Sequence, residues 1–132
     1  MGRGETVVTD WNAYPNFSAH EFACPHCGVA KMDDHFMFKL QNLRTKLGFP
    51  FAITSGYRCK TYNDSKGYGP AHPTGMAADI AIQGHRAWEL LNALDGKFNG
   101  VGIKQTGSGR FIHLDTLEPF MTDAPRPWVW SY

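Results

Sequence analysis

An α+β fold, with helices packed on a small, mainly antiparallel sheet, is predicted by three features of this 132-residue chain. Two segments carry apolar residues at helical spacing. Several short apolar runs end at glycine or proline, and two of them are joined by a tight polar connection. The length suits one domain over 1–132, with residues 1–16 as an N-terminal arm and 120–132 as a C-terminal aromatic segment.

The arm mixes glycine, asparagine and proline with Val7, Val8 and Trp11, and is expected to pack on the body. Ser18 with Glu21 three residues later is a capping-box pattern for a short turn. A helix is predicted over 33–47: Asp33 or Asp34 caps it, Phe36, Leu40, Leu43 and Leu47 recur at helical spacing, and Gly48 and Pro50 stop it. Residues 51–54 read as a short strand leading into Ser55-Gly56-Tyr57-Arg58, and 60–75 as a polar loop that delivers His72. Residues 77–82 form a strand. A second helix over 84–95 presents Trp88, Leu91 and Leu94 on one side and closes near Gly96. Segments 100–104 and 109–116 pair as antiparallel strands through Gln105-Thr106-Gly107-Ser108. Pro125 and Pro127 exclude a helix at the C-terminus, whose aromatics are expected to cover one sheet edge.

A formal charge of +1 gives no basic surface for nucleic acid. No apolar run approaches the roughly 18 residues that span a bilayer. The first residues lack the apolar core of a secretory signal, so cytoplasmic synthesis is expected; no membrane partner and a monomeric state are expected as well. Three cysteines cannot form a complete set of internal disulfides.

Chemistry concentrates in His72-Pro73-Thr74-Gly75-Met76-Ala77-Ala78-Asp79 and Phe111-Ile112-His113-Leu114-Asp115. Ala77–Ile82 would pass for a buried strand were Asp79 apolar, and an unpaired buried carboxylate costs several kcal/mol. A zinc ion held by His72, Asp79 and His113 at the sheet face supplies a partner, leaving a fourth position for water, as catalytic zinc sites do. His113 and Asp115 share a strand face, with Ile112 and Leu114 behind them. Three tasks are open to Asp115: accepting a proton, fixing a neighbouring His or Arg, or capping the next turn. Arg58 is placed to grip a substrate carboxylate or carbonyl, or to pair with Asp115 or Asp64. Tyr57 and Asn63 are candidate substrate donors. Aromatics such as Tyr68, Trp128 and Trp130 are available to wall a groove, and His35 and His85 are given no role. Cys24-Pro25-His26-Cys27-Gly28 is half of a zinc-ribbon pattern, whose missing ligands would come from Cys59, His20 or His26. A second, structural zinc at Cys24 and Cys27 and a pair of reduced thiols are both open.

Ser55-Gly56-Tyr57-Arg58, Asn63, His72-x-x-Gly75-x-Ala77-x-Asp79, Gly100-Val101-Gly102-Ile103 and His113-Leu114-Asp115, in that order, resemble the M15 family of zinc peptidases, in particular its A-type branch. That family includes D-Ala-D-Ala carboxypeptidases, murein endopeptidases and bacteriophage endolysins. The resemblance runs from about Phe17 to about Trp130. It implies zinc ligands at His72, Asp79 and His113, and a substrate or transition-state contact at Arg58. Pro70 stands where members commonly have serine, and Arg110 where some branches place a catalytic carboxylate. Asp115 is then the expected base, with Glu118 a weaker one. The implied activity is peptidoglycan hydrolysis by a compact endolysin-type endopeptidase that reaches the periplasmic wall after membrane permeabilisation. A D,D-carboxypeptidase and a non-catalytic, metal-bearing binding module are the alternatives.

Overall fold

The architecture comes from a computed structural model that describes residues 7–132; the part of the expected arm at 1–6 lies outside them. Among the described residues, five strands and three α-helices make an α+β fold. The strands are β1 (Ala52–Ser55), β2 (Ala77–Ala81), β3 (Gly100–Lys104), β4 (Phe111–Asp115) and β5 (Trp128–Ser131). The helices are α1 (Asp34–Leu47), α2 (Lys60–Lys66) and α3 (Gly84–Ala93). The sheet order is β1-β2-β4-β3-β5, antiparallel throughout except for the parallel β3–β5 pair.

The first helix begins and ends as its sequence dictates. The Asp33 carboxylate accepts the Phe36 N–H at 2.9 Å, and Gly48 closes the far end with φ +76°. Phe36, Met37, Leu40 and Leu43 are buried, and Leu47 is half-buried at the margin. On α3 the buried stripe is Ala87 and Leu90, continued by Leu94 just past its end, while Trp88 is 64% exposed. Trp88 therefore does not belong to the packed face: a one-residue step from Ala87 turns a side chain about 100° round the axis.

Two further elements differ from expectation. Residues 60–66 form α2 rather than loop. It has no apolar stripe to betray it, and is held by the Lys60–Asp64 pair at 2.6 Å one turn apart and by Gly67 in the left-handed conformation. The C-terminal aromatics do cover a sheet edge, and they do so as a fifth strand hydrogen-bonded to β3. Within the arm, Val8 N–H donates to the Met32 carbonyl at 2.9 Å and Trp11 stacks on Phe22.

Register positions the functional face. Asp79 lies opposite His113, His113 opposite Gly102, and Gly102 opposite Trp130, one row across four strands. The next row holds Ala77, Asp115, Gly100 and Trp128. Ala78, Ile80, Ile112 and Leu114 point the other way, into a core shared with Phe36, Leu40 and Leu90. The glycines of β3 are spaces for these neighbours: a Cβ on Gly102 would meet the Trp130 ring, and one on Gly100 would overlap the Asp115 carboxylate. Gly100→Ala should therefore cost about 1–3 kcal/mol through overpacking. Urea denaturation checks this, and an unchanged midpoint would mean that Asp115 has room to move.

Candidate metal centre

His72 lies in a 3₁₀ turn, His72–Thr74, that Gly75 closes at φ +74°. A side chain at Gly75 would collide with the Lys31 carbonyl, so both the turn and its contact with the chain before α1 require glycine. The turn brings His72 over the start of β2. Its Nδ1–H donates to the Gly56 carbonyl at 2.7 Å, which leaves Nε2 facing Asp79 Oδ1 at 3.3 Å. Across the sheet, His113 Nδ1 lies 2.9 Å from the same Asp79 oxygen. Its Nε2–H donates to Asp115 Oδ2 at 2.7 Å.

One nitrogen of each imidazole and one carboxylate oxygen thus meet within 4.8 Å of one another, all three residues buried. The other nitrogen of each ring is anchored, one by a backbone carbonyl and one by a carboxylate. Such outer partners fix the tautomer and aim of histidine ligands. The donor set and its support fit a zinc ion.

Burial alone would keep Asp79 neutral, but hydrogen bonds from His113 and His72 outweigh it and hold the carboxyl well below the usual range. Asp115 is likewise lowered against its burial, by His113 and Arg126. Burial pushes His72 down. For His113 the two flanking carboxylates, Asp115 first, overcome burial and raise it.

In chelator-treated protein, Asp79 and Asp115 contribute stability that is present above the ordinary carboxylate value of 3.8 and is lost as pH falls through their depressed folded values. His113 contributes below 6.5 and loses that contribution as pH rises through its raised value; His72, lowered, has the opposite sign. Urea melts over a pH series should show the acid-side loss, and Asp79→Asn should flatten it. An unchanged acid limb in that variant would contradict the pairing.

Arg58 reaches the site from the segment after β1. Its Nη2 is 3.5 Å from Asp79 Oδ2 and its guanidinium lies over the Tyr68 ring at 4.5 Å. It pairs with neither Asp115 nor Asp64. The partner of Asp115 is Arg126, through two bonds: Nε to Oδ1 at 3.0 Å and Nη2 to Oδ2 at 2.9 Å. Arg126 also stacks on Trp130. Fixing a neighbouring His or Arg was one of the tasks open to Asp115; the arginine it meets is Arg126 rather than Arg58.

The geometry places Asp115 behind His113 rather than at the open side of the triad. The residue is fully buried, on the side of His113 away from Asp79, with its oxygens taken by His113, Arg126 and the Leu117 N–H. It holds His113 in place and accepts the Leu117 N–H, the second and third of the three tasks open to it. Tyr57 and Asn63 are not among the residues lining the cleft above the triad. Asn63 is buried on α2 and donates to the Gly69 carbonyl at 2.9 Å, and so shapes the loop leading to His72. That cleft, of about 610 Å³, is walled by Arg58, Tyr68, Phe111, Arg126, Trp130 and Tyr132 among others. Of the described residues lining it, Asp79 is the sole carboxylate.

The family model described as Peptidase M15 matches residues 15–115. The chain belongs to the peptidase M15 family. Curated proteins give no match to the sequence. The M15 peptidases are zinc-dependent, and membership makes this chain a zinc metallopeptidase by family. The matched span contains His72, Asp79, His113, Arg58 and Asp115, and ends before Arg126 and β5.

Proposed function

We propose that this M15 peptidase cuts peptidoglycan, as an endolysin-type murein endopeptidase acting on stem or cross-link peptides. The observation that carries the reading is the convergence of His72, Asp79 and His113 in a cleft that Arg58 also lines. The cleft volume suits a peptide segment. Phe111, Trp130, Tyr132 and Tyr68 offer flat apolar faces along it. Arg126, the second lining cation, is already bound through two bonds to Asp115, so Arg58 is the lining cation that retains donors for a substrate carboxylate or oxyanion. The site of action is the wall, reached from a host cytoplasm after membrane permeabilisation, by a monomer whose partner is peptidoglycan.

Bound zinc would polarise the scissile carbonyl and lower the pKa of a water molecule. The chain's own residues do the rest. Gly56 and Asp115 aim the two imidazoles, and Arg126 holds Asp115 in register. Arg58 retains guanidinium donors beyond its single 3.5 Å contact with Asp79, and directs them at negative charge developing on the substrate oxygen. The stack on Tyr68 keeps that fork from swinging into solvent.

One observation favours a second reading. With Asp79 the sole lining carboxylate and Asp115 turned away, the described residues offer no separate carboxylate base, as a metal-bearing module that binds wall peptides without cutting them would have it. Mass spectrometry of purified muropeptides after incubation decides between these readings. The expected products are fragments cut within stem or cross-link peptides, with Arg58→Ala slowing their appearance by roughly 10²-fold. Release of D-Ala alone would assign the carboxypeptidase activity, and binding without any product would overturn the hydrolase reading.

A further inference from the structure

The loop Cys24-Pro25-His26-Cys27-Gly28 takes no part in the cleft, and the structure brings to it a residue distant in sequence. The sulfurs of Cys24, Cys27 and Cys59 all lie within 4.8 Å of one another. His26 places Nδ1 3.4 Å from Cys59 Sγ and stacks its ring on Tyr62 of α2. None of the three thiols is in a disulfide.

The backbone is folded around these sulfurs. Cys24 N–H donates to the Val29 carbonyl and Gly28 N–H to the Cys24 carbonyl, both at 2.8 Å, a tight turn that Gly28 completes at φ +76°. Cys59 N–H donates to Cys24 Sγ at 3.3 Å. Amide donors aimed at a sulfur favour its thiolate form, the form that binds metal. Three convergent sulfurs are the core of closed thiolate-rich zinc sites, and the His26 imidazole beside Cys59 is the adjacent residue type that completes a Cys₃His set.

We infer that Cys24, Cys27 and Cys59, with His26 as fourth ligand, hold a second, structural zinc ion separate from the His72–Asp79–His113 centre. Its consequence is local. Cys59 follows Arg58 directly and lies three residues after Gly56, whose carbonyl aims His72. The chain before Cys24 packs on the same segment: Tyr57 N–H donates to the Phe22 carbonyl at 2.9 Å, and a side chain at Gly56 would strike Phe22. A metal clamp between the Cys24–Cys27 loop and Cys59 therefore fixes, at one remove, both Arg58 and the carbonyl behind His72. The four side chains are positioning residues for the reaction.

The test uses the full chain purified under reducing conditions, with zinc content and cobalt substitution as readouts. Wild type should carry about two zinc ions per chain, and both Cys27→Ser (at an exposed position) and His113→Ala about one. Cobalt should give a thiolate charge-transfer band in wild type and in His113→Ala, and none in Cys27→Ser. In His113→Ala the thiols should resist alkylation until a chelator is added, a measurement that holds even where the cysteine variant folds poorly. His26→Ala should keep the band but lose metal faster to chelator. Cys27→Ser should also slow hydrolysis by roughly 10-fold or more while its remaining zinc stays bound. One zinc per chain in wild type with three freely reactive thiols, or a cobalt form without the thiolate band, would overturn the inference. Failure of the His72–Asp79–His113 centre instead would show as His113→Ala keeping the wild-type zinc content while Cys27→Ser still lowers it.

Discussion

His113→Ala should lower peptide hydrolysis by roughly 10³-fold or more and remove one zinc from the chain. The size of the effect follows from where the ring sits. His113 lies between Asp79, 2.9 Å from Nδ1, and Asp115, 2.7 Å from Nε2, so its loss removes a ligand and separates the two carboxylates from their common partner. Trp130, whose ring centroid is 5.2 Å from that of His113, would face the cavity left behind. Lysis of chloroform-permeabilised Gram-negative cells and zinc content read the two losses side by side. Full lysis by a variant lacking this zinc would contradict the mechanism.

Asp115→Asn should weaken zinc retention by about 10–100-fold, the range found when the outer partner of a metal-bound histidine is altered. An amide can still accept from His113 Nε2, but it lacks the charge and the second acceptor oxygen that bind Arg126 through two bonds. Breaking a buried ion pair on one side costs about 3–5 kcal/mol, so the variant should also unfold at lower urea. The split between affinity and turnover discriminates. A positioning residue gives a variant whose rate returns substantially when zinc is made saturating. A proton acceptor gives one that binds zinc normally and stays slow, and that result would restore Asp115 to the base role. Glu118→Gln should change neither quantity.

The parts legible in the sequence share one physical cause: local pattern was enough to specify them. Asp33 and Gly48 punctuate α1, and Phe36, Leu40 and Leu43 supply its buried stripe. Asp79 is conspicuous because it interrupts an otherwise apolar strand, and the period-2 rule correctly placed His113 and Asp115 on one face. What local pattern did not contain was missed. Lys60–Lys66 has no amphipathic stripe, so a helix held by an ion pair and a glycine cap read as loop. Trp88 shares helical spacing with Leu91 and Leu94, and that spacing alone does not show that the face one residue round, with Ala87 and Leu90, is the packed one. The orientation of Asp115 depended on a long-range pairing with Arg126 across a proline-rich segment and on the space left by Gly100. Cys59 was one of three residues open as partner to Cys24 and Cys27; the choice among them depends on the packing of the Phe22 turn on Gly56, a contact between segments more than thirty residues apart.

The central claim is that one zinc ion is held jointly by His72 Nε2, Asp79 Oδ1 and His113 Nδ1. An anomalous-difference map from crystals of the zinc-loaded protein, collected on both sides of the zinc edge, tests it directly. The expected peak is bonded to those three atoms, with His72 Nδ1 still on the Gly56 carbonyl and His113 Nε2 still on Asp115. A fully loaded crystal whose zinc peaks avoid that point, or whose His113 has turned Nε2 toward the metal, would contradict it.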